Sequence, residues 1–412
     1  MPPKMTSIMR PISHTPLQGK NVVLGVTGSI AAYKAADIAS KLVQAGASVD
    51  VIMTTSATTF VGTATFEALT HRPVTTGLWQ ARSELNMDHV ALALQADCIL
   101  IAPATANTIA KLALGIADDP LTATVLATEA PVIIAPAMDA DMFASPSTQR
   151  NVNTLVEDGA IIAGPANGRL ASGLLGKGRL VETHVLEGLV RQAIGRHGDY
   201  SDRRVIVSAG GTRQPIDPVR FISNRSTGKM GHRIAEAARD RGADVLLITA
   251  SDLPYPSGVE VVKAMTVEEM RDAIVPSSSE ADLLIMAAAI SDFTPAQVSD
   301  QKIKKQGQPE TSLKLVEVED FMPLAKGRKL VKVAFAAETN NVEENAKAKT
   351  TPKGAAFVVA NDISEPGSGF GTDTNRVTFV DSQGNTQQHP LMTKLNVGHA
   401  ILDYALPLLT KH

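Results

Sequence analysis

Cysteine, aromatic residues and long apolar runs are all scarce in this sequence. The 412 residues include one cysteine, Cys98, so no internal disulfide can form and a reducing cytoplasm is the expected location. No apolar stretch approaches the roughly 18 residues that span a bilayer, so we expect no membrane segment. Aromatic residues make up only 4%, and the core must therefore be built mainly from aliphatic side chains.

A strong charge of either sign is also missing. The 39 basic and 42 acidic residues leave a formal net charge of −3, which gives no general attraction to nucleic acid or to an anionic membrane. Any phosphate chemistry must therefore depend on local basic clusters. The stretch 1–18 is broken by prolines and lacks the apolar core of a signal peptide, so we expect a disordered extension there.

Two segments open with the same pattern of strand, glycine turn, helix and strand. Asn21–Val26 runs into Thr27-Gly28-Ser29, and Arg204–Ala209 runs into Gly210-Gly211-Thr212. Each opening is followed by a helical stretch, a Gly-Ala pair and a second apolar strand, which is the βαβ unit of a parallel sheet. We therefore predict an α/β fold with two doubly wound, Rossmann-like domains.

The same reasoning predicts the domain boundaries and the remaining buried strands. Apolar periodicity is lost in 191–203, which we interpret as a linker between a first domain at 19–190 and a second at 204–412. Further buried strands are predicted at Cys98–Ala102, Val132–Ala135, Leu283–Ala288, Lys332–Ala336 and Phe357–Ala360. Each of them ends in small or turn residues, where α/β folds bind ligands.

Turns at the strand ends of the first domain predict one composite site. Gly28–Ala32 begins a helix whose N–H groups can meet a phosphate. Small residues at Pro103–Asn107 and Pro136–Met142 would let a flat ring approach the backbone. A dinucleotide site would also have an acidic residue after the second strand, but Met53–Ser56 offers hydroxyl groups instead. The pattern favours a mononucleotide with a phosphate over NAD.

The strings GVTGSIAAYK, PATANT and PAM-x-x-x-M, with His89 inside MDHV, resemble the flavin-containing cysteine decarboxylases. The resemblance implies a flavodoxin-like domain in which His89 is catalytic and Met138 and Arg179 contact the substrate. In that chemistry FMN oxidises the cysteine moiety so that carbon dioxide can leave, and then returns the hydride. The residues implied to hold FMN are Gly28, Ser29, Ile30, Thr54, Ala104, Thr105, Ala106 and Asn107.

Two positions at the implied catalytic and substrate sites depart from that family's usual pattern. Asp139 stands where the family has an asparagine that donates to the substrate, and a carboxylate donates only when it is protonated. Ser172 stands where the family has a cysteine that protonates the product, and a hydroxyl is the weaker acid. We therefore expect the final reduction to be slow, or its oxidised precursor to be released, unless another acid serves.

The most specific string of the chain runs from Ala209 to Gly231. It is too long and too polar for a simple strand-to-helix turn, and it does not match the G-x-x-x-x-G-K-[ST] phosphate loop. Basic clusters follow near predicted strand ends, at Lys302–Lys305 and at Lys347, Lys349 and Lys353. In a chain of net acidic charge, we interpret these clusters as a triphosphate site.

These strings resemble the phosphopantothenate–cysteine ligases that use CTP. The resemblance implies that Asn224 steadies an acyl-cytidylate intermediate, that Lys302 is catalytic and that Arg220 contacts the substrate. CTP is expected to bind with Mg²⁺, whose protein ligands the sequence does not identify. The implied nucleotide-binding residues are Met286, Ala287, Ala288, Asp292, Lys302, Phe335, Lys349 and Lys353.

Over nearly its whole length the chain resembles the bifunctional enzyme of coenzyme A biosynthesis that fuses these two activities. The resemblance implies condensation of 4′-phosphopantothenate with cysteine, followed by decarboxylation to 4′-phosphopantetheine. It also implies a homo-oligomer, a dodecamer built from trimers of the flavin domain and dimers of the ligase domain. Two alternatives stay open. One is a monofunctional ligase with an FMN-binding scaffold, and the other is a non-catalytic flavin-binding regulatory subunit, against which the ligase strings argue.

Overall fold

The computed structural model describes residues 16–78, 88–304, 311–338, 352–362 and 367–410. The chain divides into an N-terminal unit that ends at Gly195 and a C-terminal unit that begins at Arg196. In the described part of the chain, no helix is both long enough and apolar enough to cross a membrane.

The N-terminal unit is built on a parallel sheet covered by helices. Its strands are β1 (Asn21–Val26), β2 (Ser48–Met53), β3 (Cys98–Ala104), β4 (Val132–Pro136) and β5 (Ile161–Ile162). They pair in the order β2-β1-β3-β4-β5, which is the flavodoxin-like order of a doubly wound sheet. Every residue of β3 is buried, as expected for an aliphatic strand with helices on both faces.

Helices connect these strands and an antiparallel hairpin follows them. The helix α1 buries Ala32, Ala35, Ile38, Ala39 and Leu42, whose spacing places them on one face. The helices are α1 (Ala32–Gln44), α2 (Thr63–Thr70), α3 (Asp88–Gln95), α4 (Ala106–Ala113), α5 (Pro120–Leu126), α6 (Ala140–Ala144), α7 (Pro146–Glu157) and α8 (Thr183–Gly195). The hairpin pairs β6 (Ala166–Arg169) with β7 (Leu175–Arg179).

The C-terminal unit contains a larger, mixed sheet. The strands of this unit, some of which form separate two-stranded sheets, are β8 (Arg204–Ala209), β9 (Arg213–Pro215), β10 (Phe221–Ser223), β11 (Asp244–Thr249), β12 (Glu260–Lys263), β13 (Leu283–Met286), β14 (Phe293–Pro295), β15 (Leu315–Glu317), β16 (Val331–Glu338), β17 (Phe357–Asp362), β18 (Thr374–Asn375), β19 (Thr378–Asp381), β20 (Thr386–Gln388) and β21 (Met392–Thr393). The main sheet has the order β12-β11-β8-β13-β16-β17-β19-β20.

The parallel part of this sheet is a Rossmann arrangement. Counted along the chain, its first six strands take the order 3-2-1-4-5-6, and β19 and β20 are added antiparallel at the far edge. The order reverses between β8 and β13, which places a ligand crevice at the ends of these two strands. Three helices of the described residues accompany the sheet: α9 (Lys229–Arg239), α10 (Val267–Ser277) and α11 (Lys394–Thr410).

The predicted α/β fold with two doubly wound domains is confirmed. The strands β1 and β8 have the predicted bounds, and β13 ends at Met286, two residues before the predicted end. It ends there because the backbone turns toward β8, where the Ala289 N–H donates to the Gly210 carbonyl oxygen at 2.8 Å.

The structure differs from the predicted boundaries at the linker and at the extension. The helix α8 continues to Gly195, inside the predicted linker 191–203, because Ala193 and Ile194 pack against the N-terminal core. Tyr200, also in that range, is buried in the C-terminal unit and donates to the Leu402 carbonyl oxygen at 2.7 Å. Leu17, in the predicted extension 1–18, is buried in the N-terminal core, and residues 1–15 lie outside the described part.

Candidate functional site

Hydrogen bonds join the turns that follow β1, β3 and β4 at the carboxyl edge of the N-terminal sheet. The buried Thr27 hydroxyl donates to the Pro103 carbonyl oxygen at 2.7 Å and accepts from the Thr105 N–H at 3.1 Å. The Ser29 hydroxyl donates to the Ala137 carbonyl oxygen at 3.3 Å. Because the strand order reverses between β1 and β3, this surface is the switch point at which doubly wound folds bind ligands.

The predicted FMN-binding residues lie on this edge. The Thr54 N–H donates to the Val26 carbonyl oxygen at 3.0 Å, which brings the end of β2 beside β1. A Cβ at Gly28 would lie 2.4 Å from the Ser56 Cβ, so this close approach requires glycine. The structure thereby brings together the turns that contain Gly28, Ser29, Ile30, Thr54, Ala104, Thr105, Ala106 and Asn107.

The chemistry of this edge fits a flavin mononucleotide. The helices α1 and α4 both begin here, and helix N-termini favour a phosphate. The hydroxyl groups of Ser29 and Thr54 are close by, and no carboxylate follows β2 at the position that a dinucleotide ribose needs. Ile30 and Tyr33 are 61% and 64% exposed and offer apolar surface to a flat ring.

The β6–β7 hairpin lies directly against the turn that follows β4. The Met138 N–H donates to the Gly178 carbonyl oxygen at 3.0 Å. A Cβ at Gly178 would lie 2.2 Å from the Met138 carbonyl oxygen, and one at Gly176 would lie 2.6 Å from the Ala140 Cβ. The two glycines therefore permit a close approach of the hairpin to this turn that a side chain at either position would obstruct.

This contact brings Ser172 onto Asp139. The Ser172 hydroxyl donates to the Asp139 carboxylate at 2.6 Å, and the Asp141 N–H donates to the same carboxylate at 3.2 Å. The Ser172 hydrogen bond, and then those from the backbone, lower the pKa of Asp139 below its ordinary value. At neutral pH the carboxylate is therefore ionised and can only accept hydrogen bonds.

The other predicted residues of this unit lie around that pair. Arg179 ends β7 and is exposed, and its guanidinium donates to the Glu182 carboxylate at 3.0 Å. His89 is half-buried in the first turn of α3. Because α3 leads into the parallel strand β3, its first turn lies toward the carboxyl edge of the sheet. Within the described residues, no hydrogen bond or ion pair joins His89 to the strand-end turns.

In the C-terminal unit, the turns after β8 and β13 meet in a similar way. The Thr212 hydroxyl accepts from the Ser291 N–H at 2.9 Å. The Asn224 amide group donates to the carbonyl oxygens of Ala289 and Ile290 at 3.3 and 3.0 Å. Asn224 is therefore held on the turn after β13, at the switch point of this sheet.

A cavity of about 630 Å³, counted to its open mouth, lies beside the start of α9. Its lining includes the predicted residues Ala287, Ala288 and Phe335, and it also includes Lys229 and Lys394. Sequence reasoning did not assign a role to these two lysines.

Lys394 holds a glycine-rich loop, 367–373, against the cavity. Its buried ammonium group donates to the carbonyl oxygens of Gly369 and Phe370 at 2.8 and 3.3 Å. Burial first, and then the neighbouring charge of Lys229, lower the pKa of Lys394 to about 8. In the sequence, Lys394 could be noticed only as a lysine at the start of the largely apolar helix α11. No recognised motif lies beside it.

The remaining predicted residues do not line the cavity. Met286 is buried at the end of β13, while Asp292 and Lys302 are exposed on segments that follow it. The Lys353 ammonium group donates to the Asp320 carboxylate at 2.7 Å. Lys349 lies outside the described residues. Across the part of the chain that the structure describes, no cluster of three His, Cys, Asp or Glu side chains could hold a metal ion.

Comparison with known proteins decides the family. Residues 11–195 match the flavoprotein family, and residues 200–408 match the family described as the DNA/pantothenate metabolism flavoprotein C-terminal domain. The chain is 43% identical over 392 residues to the coenzyme A biosynthesis bifunctional protein CoaBC of Bacillus subtilis (strain 168). The aligned region covers 94% of this chain and 96% of that protein. The chain belongs to the CoaBC family.

Other members of the CoaBC family are similarly related. The protein of the same name from Mycobacterium tuberculosis (strain ATCC 25618 / H37Rv) is 42% identical over 385 residues, with 89% of this chain and 91% of that protein covered. Among solved structures, the C-terminal domain of a CoaBC protein is 32% identical, covers 52% of this chain and all of that one, and has a TM-score of 0.45. The two family matches and the sequence identity to CoaBC proteins confirm the family predicted from the sequence.

The structure shows that two unusual residues of the N-terminal unit, Asp139 and Ser172, are in contact. Asp139 and Ser172 depart from the family's usual asparagine and cysteine, and sequence reasoning treated them as separate departures. Their side chains form a direct hydrogen bond, although the two residues lie 33 positions apart in the chain. They therefore form one hydrogen-bonded pair beside the turn that follows β4.

Proposed function

We propose that the C-terminal unit condenses 4′-phosphopantothenate with cysteine using CTP, and that the N-terminal unit decarboxylates the product to 4′-phosphopantetheine with bound FMN. The observation that carries the proposal is a strand-end site in each unit of a chain that matches a bifunctional relative over 94% of its length. Both sites lie where doubly wound sheets bind ligands.

In the condensation, the carboxylate of 4′-phosphopantothenate attacks the α-phosphate of CTP and pyrophosphate leaves. The cysteine amine then attacks the acyl carbon, and CMP leaves as the amide forms. Asn224 holds the turn at which this intermediate would lie. Lys229 lines the cavity, where its ammonium group also pairs with Asp373, and the exposed Lys302 is assigned to the phosphates by the family resemblance. Catalysis rests on positioning and charge neutralisation. Mg²⁺, when bound with CTP, would add positive charge at the phosphates.

In the decarboxylation, FMN supplies a two-electron acceptor and donor when it is bound. The turn at Gly28–Ala32 would bind its phosphate, and the small residues at Ala104–Ala106 leave room for its ring. His89 is assigned to proton transfer. Arg179 and Met138 are assigned to the substrate, near the Asp139–Ser172 pair.

The Asp139–Ser172 hydrogen bond favours a second candidate for the N-terminal unit. An ionised Asp139 cannot donate to a substrate carboxylate, and the Ser172 proton is directed toward Asp139 rather than toward a substrate. In this candidate the unit binds FMN but completes the decarboxylation poorly, and the ligase is the main activity of the chain.

We also propose that the chain works as a cytoplasmic homo-oligomer, a dodecamer of flavin-unit trimers and ligase-unit dimers. Large apolar side chains that are exposed on the N-terminal unit support an interface there. They include Ile30 (61% exposed), Tyr33 (64%), Leu94 (78%), Leu114 (71%) and Leu126 (65%).

One assay tests both halves. Purified protein is supplied with 4′-phosphopantothenate, cysteine, CTP and Mg²⁺, and the products are identified by mass. We expect CMP, pyrophosphate and a product that has lost carbon dioxide. Lys302→Gln should reduce amide formation to a small residual rate without changing the flavin absorption spectrum, whereas the exposed control Lys263→Gln should behave like the wild type. Absence of CTP-dependent amide formation by the wild type would contradict the proposed ligase.

A further inference from the structure

We infer that Asp217 and Arg220 form a clamp on the backbone of Ile303 that positions Lys302 for the condensation. The inference rests on the proposed ligase function, adds Asp217 to it in a positioning role, and gives Arg220 a positioning role beside the substrate contact expected of it. Neither residue needs to touch the reacting atoms for the clamp to act.

Asp217 forms the first half of the clamp. Its side chain is 0% exposed, and one carboxylate oxygen accepts from the N–H groups of Val219 and Arg220 at 2.8 and 2.9 Å. The other oxygen accepts from the Ile303 N–H at 3.2 Å, across 86 positions of sequence. Both oxygens of a fully buried carboxylate are thus used to hold backbone.

Arg220 forms the second half. Its guanidinium lies 2.9 Å from the second Asp217 oxygen, and it also donates to the Ile303 carbonyl oxygen. The N–H and the carbonyl of one residue are therefore both held by a single ion pair. Nearby, the Ser299 N–H donates to the Ile216 carbonyl oxygen at 3.0 Å, which adds a second tie between the same two segments.

The charges of the clamp match its geometry. Burial raises the pKa of Asp217, but the N–H groups of Val219, Ile303 and Arg220, and then the Arg220 charge, outweigh burial and hold the pKa below its ordinary value. The carboxylate is therefore ionised at neutral pH. A buried charge is tolerated only when it is fully hydrogen-bonded, and here it is.

The clamp contributes little to the core, which points to positioning rather than packing. The Ile303 side chain is 42% exposed, so the clamp does not serve to bury it. Lys302 and Lys304, on either side, are exposed, and no hydrogen bond or ion pair with another described residue holds the Lys302 ammonium group. The backbone at Lys302 is fixed while its charge stays available to a ligand.

The clamp also fixes the position of Lys302 relative to Asn224. Arg220 directly precedes β10 (Phe221–Ser223), and Asn224 follows that strand and contacts the turn after β13. One short hairpin therefore sets the position of both residues that the condensation is proposed to use. A shift of about 1 Å in such a group can lower a rate about 100-fold.

The test is Asp217→Asn in the full-length protein, with Asp252→Asn as the matched control. Asp252 also pairs with an arginine of this hairpin region, Arg213, but it is 60% exposed and does not contact residue 303. We expect Asp217→Asn to lower kcat for CTP-dependent amide formation by about 10- to 100-fold, with a smaller change in KM for CTP. The flavin spectrum should not change, and the control should match the wild type.

Two further readouts separate positioning from a general loss of structure. In a double-mutant cycle, Asp217→Asn should cause little further loss in a Lys302→Gln background, because the clamp acts through Lys302. Amide hydrogen exchange in the peptide 299–304 should become faster in Asp217→Asn, whether or not the ligase is active. Asp217→Glu keeps the charge and both acceptor oxygens, and it replaces Asp217→Asn in these measurements if the asparagine variant does not fold. Its rate of amide formation should lie between those of the wild type and Lys302→Gln.

The outcomes distinguish this inference from the proposed function. If the wild type forms no CTP-dependent amide, the proposed function is wrong, and hydrogen exchange alone decides whether the clamp exists. If the wild type is active, a normal kcat in Asp217→Asn overturns the inference. A loss that adds fully to that of Lys302→Gln, or unchanged exchange at 299–304, also overturns it.

Discussion

At the scale of single residues, Ser172 and Asp139 bear on the last step of the proposed decarboxylation, after carbon dioxide leaves. The serine hydroxyl is a weak acid, and a hydrogen bond to an ionised carboxylate makes loss of its proton still less favourable. Proton delivery to a reacting carbon is efficient only when the acid is positioned and has a suitable pKa. The Ser172 hydroxyl is a weak acid, and its proton is directed toward Asp139.

We predict that Ser172→Cys raises the share of fully reduced 4′-phosphopantetheine among the products. Asp139→Asn should instead strengthen substrate binding, because an amide donates where the carboxylate repels. Mass spectrometry separates the two products, since the enethiol is two hydrogens lighter than the thiol. If the unmodified chain already makes only the thiol, at the rate of its ligase step, Ser172 has a competent substitute and the prediction is wrong.

Cys98 is not that substitute. Burial, and to a lesser degree Asp97, raise the pKa of the Cys98 thiol to about 12. A buried thiol that stays protonated reacts slowly, because the thiolate is the nucleophile. We predict that the native protein shows no reactive thiol at pH 8 in a colorimetric thiol assay. The denatured protein should show one reactive thiol, and the native Ser172→Cys variant should also show one. Rapid labelling of Cys98 in the native protein would show that the strand β3 is accessible.

At the scale of secondary-structure elements, the β6–β7 hairpin depends on its glycines. A methyl group at Gly178 would meet backbone, the Met138 carbonyl oxygen, so the hairpin must move away from the turn after β4. We predict that Gly178→Ala costs about 1–3 kcal/mol, as overpacking does, and speeds tryptic cleavage at Lys177. Gly62→Ala is the control, because nothing lies within 4 Å of its added Cβ. Equal cleavage rates in both variants would contradict the prediction.

Lys394 makes the stability of the C-terminal unit depend on pH. Its pKa of about 8 in the folded protein lies below the value of about 10.4 in an unfolded chain. Between these values the unfolded chain binds more protons, so this group favours folding increasingly as pH rises. Below pH 8 both states are protonated, and the contribution is constant.

We predict that Lys394→Met removes this dependence. From pH 7 to pH 9.5, the free energy of unfolding of the wild type should rise by about 2 kcal/mol relative to the variant. Calorimetry of the full-length proteins at both pH values measures the difference. The control is Lys263→Met, because Lys263 is 53% exposed and pairs only with an exposed carboxylate in the described structure. A wild-type curve that runs parallel to that of Lys394→Met would contradict the assignment.

At the scale of the whole molecule, the proposed assembly and the flavin site can be tested together. We predict yellow protein with one FMN per chain that sediments as a species several times larger than a single chain. The exposed apolar side chains of the N-terminal unit need a partner surface, which is the physical reason for association. A monomer with FMN fully bound would contradict the assembly, and a colourless protein that cannot be reconstituted would contradict the flavin site.

The sequence by itself determined the two-unit architecture and the positions of the strand-end turns. Aliphatic runs such as Asn21–Val26 and Arg204–Ala209 predict buried parallel strands, because the signal lies entirely within neighbouring residues. The strings around Gly28 and Asn224 predict where the ligand sites lie for the same local reason. The end of α8 depends instead on tertiary contacts, because Ala193 and Ile194 pack against the N-terminal core.

Only the tertiary structure decided which distant side chains meet. The pairing of Ser172 with Asp139, the contact of Asp217 with Ile303 and the burial of Lys394 under a glycine-rich loop span between 24 and 86 positions of sequence. No local pattern encodes them, because each depends on backbones that approach closely only after the sheets and their covering helices have packed. The local sequence therefore determined where the sites lie, and packing decided which charges and protons are available in them.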